Sequence, residues 1–206
     1  MVDVGHQKGT VASEPTGSSY RDRLMAGMAA SLTQRTYRDT TIGEIVAHAR
    51  TSRRTFYKEF SGLDDCYFAL LRSVHSEILG MVATAVDMTA DWRVQVRQAI
   101  TAYFAGVQTH PAVIRSYVRE LPSLGDPTVT LQSRPRDQFI ALLVGLSDTA
   151  SLRTSDIAPV TAEMARFLVG GLEELTALVV EENRPVDDVV ETAITATTRL
   201  LGPATA

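Results

Sequence analysis

Between Ser52 and Phe60 the chain reads Ser-Arg-Arg-Thr-Phe-Tyr-Lys-Glu-Phe. At helical spacing Phe56 and Phe60 share one face, which leaves Arg53, Arg54, Thr55, Tyr57 and Lys58 on the open ones. An exposed helix this rich in long donors has a physical use. It can lie in the major groove of DNA, where Arg pairs bidentately with guanine while hydroxyls and cations hold phosphates. A solvated helix in a bundle would carry the same cations; Tyr57, a large aromatic among them, favours the binding reading. No other chemistry is spaced for. His6, His48, His75 and His110 are scattered and Cys66 stands alone, so no metal-ligand spacing exists. No nucleophile motif, phosphate loop or acid–base set is readable, so neither catalysis nor a cofactor is expected.

The charge balance localises that chemistry. The 206 residues carry a net charge of −4, which argues against a general nucleic-acid coat. From Arg21 to Phe60, however, eight bases face four acids, a local +4 that leaves −8 for the remainder. A basic head on an acidic body points to an anionic partner for the head alone.

The elements that must position these residues are almost all helical, because apolar residues recur at three and four and never alternate strictly. Ser19 and Asp22 form a capping box ahead of a first helix that buries Leu24, Met28 and Leu32 and ends near Gln34. Thr41 and Glu44 form a second, opening a short helix with Ile42, Ile45, Val46 and Ala49 inward. Arg50-Thr51 is room only for a tight turn, and Ser52 can cap the basic helix. Ser61-Gly62 ends it, and Asp64 and Asp65 suit the start of a fourth helix, to about Asp87. Prolines 111, 122, 127 and 159 punctuate the rest. The expected helices run over 91–109, 112–121, 128–147, 158–182 and 186–201, the last stopped by Gly202-Pro203. The fold class is therefore all-α: a three-helix helix-turn-helix head over residues 18–62 and a helical body over 63–206. Residues 1–17, polar and rich in Gly and Pro, read as a disordered arm.

The block from Thr40 to Phe60 resembles the TetR family of bacterial transcriptional regulators. That family's pattern is met by Thr40, Thr41, Ile42, Ile45, Ala49, Ser52, Thr55, Phe56, Tyr57 and Phe60, all at matching spacing. The resemblance implies that Thr41 offers its hydroxyl and a helix N-terminus to a phosphate and that Ser52, Thr55 and Tyr57 grip the backbone. It implies that Arg53, Arg54 and Lys58 reach base edges. Three positions depart from the pattern. Arg50 stands where the family has a turn glycine, and an Arg at positive φ costs about 1 kcal/mol. Thr51 replaces a Val, and Leu63 stands where many members place a phosphate-binding Lys.

For the body, the resemblance implies an effector pocket between the fourth helix and the following three. The candidate lining residues are His75, Met81, Trp92, Ile100, Tyr103, Phe104, Val107, Tyr117 and Phe139; as a set they suit a small, largely apolar ligand. The last two helices carry apolar stripes, with Leu168, Leu172, Leu175 and Val179 on one and Val190, Ala193, Thr197 and Leu200 on the other. These stripes fit a monomer core, or the four-helix homodimer interface that the resemblance implies. The expected function is a cytoplasmic repressor that a small molecule releases from a palindromic operator. The alternative is a helical ligand-binding or scaffolding dimer that no longer reads DNA, on the strength of Arg50 and Leu63.

Overall fold

The computed structural model describes residues 19–120, 127–147, 157–182 and 184–202, with residues 127–135 described by their backbone only. Residues 1–17, and with them the expected arm, lie outside these. Three short helices form the head: α1 (Tyr20–Leu32), α2 (Ile42–His48) and α3 (Arg53–Glu59). Both capping boxes form. Ser19 accepts from the Asp22 amide and Thr41 from that of Glu44, and in each case the acid answers to the cap backbone. α1 buries Leu24, Met28 and Leu32, together with Gly27. A Cβ on Gly27 would lie 2.5 Å from the Ile45 carbonyl oxygen, so α1 and α2 cross where only glycine fits.

α2 ends in a Schellman motif. The Thr51 amide donates to the Val46 carbonyl (2.9 Å) and the Arg50 amide to that of Ala47 (3.2 Å). The motif requires left-handed backbone at Arg50, and φ there is 49°, the one positive value at a non-glycine among the described residues. Arg23 from α1 completes the corner: its Nη2 donates to the carbonyls of Ala49 (2.6 Å) and Arg50 (2.9 Å). The strain anticipated at Arg50 is present, and an arginine secures the same turn.

The body comprises α4 (Leu63–Ala85), α5 (Trp92–Thr109), α6 (Pro111–Glu120), α7 (Pro127–Ser147), α8 (Ala162–Glu181) and α9 (Val186–Leu201). α4 joins it to the head, burying Cys66, Tyr67, Leu70, Val74, Ile78 and Val82 at helical spacing. Pro111 opens α6 at the first helical position, where its missing N–H costs nothing. α1 and α4 each end two residues earlier than expected, and the largest shift is that of α8, which starts four residues later than its apolar pattern suggests. Ile157 and Val160 are buried without being helical, and Thr161 caps the helix by accepting from the Met164 amide at 3.2 Å. Their burial mimicked one further turn. Among the described residues the main core runs from α1 to α9, and Trp92 and Ile157 form a smaller cluster beside it.

Candidate nucleic-acid interface and body cavities

α3 is held from beneath. Phe56 and Phe60 are buried, with ring centroids 5.7 Å apart. The Arg21 guanidinium lies 4.3 Å over the Phe60 ring and donates to the Glu59 carbonyl at 2.8 Å, which satisfies one carbonyl of the last turn. At the other end the Ser52 hydroxyl accepts from the Thr55 amide (3.1 Å) and lies 3.0 Å from the Thr55 hydroxyl. The remaining side chains point outward. Tyr57 is 60 % exposed, propped edge-on against Phe56, and Arg53, Arg54 and Lys58 are exposed. Arg53 reaches the start of α2: its Nη2 lies 3.2 Å from where a Gly43 Cβ would stand, beside the exposed Thr41. The structure thus brings all seven candidate contact residues, Thr41, Ser52, Arg53, Arg54, Thr55, Tyr57 and Lys58, to one surface of the head.

The basic balance of the head divides into two uses that sequence reasoning did not separate. Arg21 and Arg23 bind backbone carbonyls, and Arg35 pairs with Glu44 at 2.7 Å. Arg53, Arg54 and Lys58 make no ion pair among the described residues. The signal that could have revealed Arg23 was Arg50 itself, since a non-glycine at the turn calls for a compensating partner. Glu44 is held below its ordinary value of 4.5, first by the Thr41 amide and also by the Thr41 hydroxyl and Arg35.

The start of α4 carries acids in place of a cation. Beside Leu63, Asp64 accepts from the Tyr37 hydroxyl, and Asp65 from the Ser61 amide (3.0 Å) and hydroxyl (3.2 Å). Two carboxylates thus complement the helix dipole, where a phosphate would meet like charge. Tyr37 also ties head to body. Its amide donates to Glu120 of α6 at 2.8 Å, and its ring stacks on Tyr67 of α4, centroids 4.2 Å apart. The Tyr67 hydroxyl lies 2.8 Å from that of Ser116 on α6. Burial pushes the Tyr67 phenol up to about 12, so this link is a neutral hydrogen bond at physiological pH.

Two of the cavities formed by the described residues take in seven of the nine candidates. The upper one, about 90 Å³, is bounded by α4, α5, α6, α7 and α8 and takes in His75, Tyr103, Val107, Tyr117 and Phe139 from the nine candidates. Its polar lining, Arg72, Arg136, Glu173 and Thr176, was not foreseen; periodicity marks apolar faces and is blind to such handles. Arg136 and Glu173 form a two-point ion pair, with Nε to Oε1 at 3.3 Å and Nη2 on Oε2. Trp92 and Ile100 line a second cavity, of about 80 Å³. Met81 and Phe104 line neither: the Met81 sulfur sits against the Gly106 position, and Phe104 is fully buried core. Of the eight candidate interface residues, Leu168, Leu172, Leu175, Ala193, Thr197 and Leu200 line an open groove between α8 and α9; Val179 and Val190 pack toward the core. The groove's rim bears Phe167, 71 % exposed, which sequence reasoning had passed over.

An all-helical chain with a capped, basic second helix set on a two-helix frame is of the helix-turn-helix class. Residues 24–70 match the family model described as bacterial regulatory proteins, tetR family. The fold is that of solved proteins from the same family. A tetR-family transcriptional regulator from Streptomyces coelicolor superposes with a TM-score of 0.71 at 17 % identity, covering 88 % of this chain and 79 % of that one. A TetR-family protein from Syntrophomonas wolfei gives 0.75 at 13 % identity, covering 91 % and 97 %. The regulator FadR from Bacillus subtilis, in complex with stearoyl-CoA, gives 0.72 at 14 % identity, covering 87 % and 96 %. By sequence, no curated protein matches the chain. The chain is therefore similar to the tetR family over residues 24–70 by sequence, and to its solved members by fold. No helix among the described residues is long and apolar enough to cross a membrane.

Proposed function

We propose that the protein is a homodimeric, sequence-specific DNA-binding regulator that acts in the cytoplasm and represses by occupying a two-fold operator. The observation that carries this reading is α3 itself, whose exposed faces present Arg53, Arg54, Tyr57 and Lys58 while Phe56, Phe60 and Arg21 fix it to the head. Arg53 and Arg54 read base edges; Thr41, Ser52, Thr55 and Tyr57 hold phosphates, and Lys58, which the resemblance puts at a base edge, is assigned to a phosphate because it stands a turn further from the helix N-terminus. A dimer follows from the α8–α9 groove, where Phe167 and Leu200 leave apolar surface in water, and from the need for two recognition helices to span successive major grooves. Residues 18–62 form the DNA-binding unit and 63–206 the sensing and dimerising one.

Release follows from ligand binding in the upper cavity. α6 faces both ways: Ile114, Tyr117 and Val118 line the cavity, while Ser116 and Glu120 bond to Tyr67 and Tyr37. A ligand that favours a shifted α6 therefore changes the support of the head, and its differential affinity for the two arrangements sets the strength of release. That a fold neighbour is complexed with stearoyl-CoA supports a ligand role for this helical body. The reading is tested by electrophoretic shift on DNA from upstream of the protein's own gene. Arg53→Ala and Arg54→Ala should each cost about 1–3 kcal/mol and relax base preference. Absence of any sequence-specific shift by the wild-type protein would instead favour a ligand-binding dimer without DNA recognition.

A further inference from the structure

The two body cavities are not independent. Tyr103, Phe139 and Thr176 line the upper one; Ile100, Leu143 and Leu172, each about one helical turn away on the same three helices, line the lower. The direction agrees on all three, since α7 runs opposite to α5 and α8. One side-chain layer therefore separates the two spaces. It consists of the Tyr103 and Phe139 rings, stacked at 5.4 Å and 18°, with the Tyr103 hydroxyl 3.0 Å from that of Thr176. Thr176 gives its own proton to the Leu172 carbonyl at 2.8 Å, so Tyr103 is the donor. The partition is thus held by a ring stack and one neutral hydrogen bond, with His75 edge-on to Phe139 and Phe104 edge-on to Tyr103.

The ends of the combined space differ in chemistry. In the upper cavity Arg72 is exposed and makes no ion pair among the described residues, and Arg136 faces Glu173, which leaves an excess positive charge among the described lining residues. The lower chamber is lined by Trp92, Val96, Leu146 and other apolar groups, with Gln95, Ser147 and Thr197 as its polar members. Resting on the reading of the upper cavity as the effector site, we propose that the effector is an amphiphile with an anionic head and an unbranched apolar chain. Its head sits at Arg72 and Arg136, and its chain displaces the Tyr103–Phe139 partition to fill the lower chamber.

The test is calorimetric titration of the intact protein with octanoate and with hexadecanoate, below the aggregation threshold of each. Hexadecanoate should bind more tightly, by about fourfold for each further methylene buried. Ala99→Phe, which fills the lower chamber, should remove most of that gain while leaving octanoate affinity unchanged, so octanoate also reports that the variant is folded. Should Ala99→Phe perturb octanoate as well, Val96→Phe repeats the test from the next turn of α5. Arg72→Ala should weaken both acids by the same factor. Equal affinity of the wild-type protein for both acids, or a chain-length gain that survives both filled variants, overturns the two-chamber assignment while leaving the upper site standing. Binding of neither acid, by protein that still shifts its DNA, overturns the amphiphile and leaves the DNA-binding reading intact.

Discussion

Arg50 shows how one residue can be strained and still serve its fold. Its left-handed backbone closes the helix-turn-helix corner, and the Arg23 guanidinium holds the two carbonyls that the corner exposes. Glycine adopts this conformation without a Cβ penalty, so Arg50→Gly should raise stability by about 0.5–1 kcal/mol in urea denaturation. Arg23→Met keeps most of the packing and removes both hydrogen bonds, and should lower stability by about 1–2 kcal/mol in the same assay. The strain was legible through the resemblance, which implies a turn glycine where this chain has Arg50. Arg50 signals that some partner is needed but not which residue supplies it, because Arg23 lies on another helix 27 residues away.

At the scale of elements, caps did much of the specifying. Ser19, Thr41 and Ser52 each accept from the amide three residues on, so three helix starts were readable from short motifs. The Thr41–Glu44 box also carries a pH signature. Glu44 is held below its ordinary value of 4.5, first by the Thr41 amide, so its contribution is fully present above that value. It is lost as pH falls through the lower, folded-state value. Acid unfolding monitored by circular dichroism should therefore show a weaker pH dependence below about 4.5 in Glu44→Gln, which keeps the cap geometry without the charge. Periodicity served less well in the body. A residue's apolar character does not say which space it borders. Trp92 and Ile100 thus fell into one cavity with Tyr103 when they belong to another, and Ile157 and Val160 lent α8 a turn it lacks.

At the scale of the whole molecule, a DNA-reading head, a two-chambered body and a dimer face act together in the proposed arrangement. The dimer face makes its own prediction. Phe167→Glu places a charge in the α8–α9 groove and should convert the dimer to monomer in sedimentation velocity, with helical content unchanged by circular dichroism. DNA affinity should fall with it, since a single head touches one half-site. The central claim, that α3 grips DNA in a two-fold complex, is tested most directly by the salt dependence of binding to DNA from upstream of its own gene. Fluorescence anisotropy between about 50 and 200 mM salt should show log affinity falling steeply with log salt. Lys58→Ala should reduce that slope by about two, because each of the two heads then neutralises one phosphate fewer. A slope near zero, or one that Lys58→Ala leaves unchanged together with Arg53→Ala and Arg54→Ala, would contradict the account.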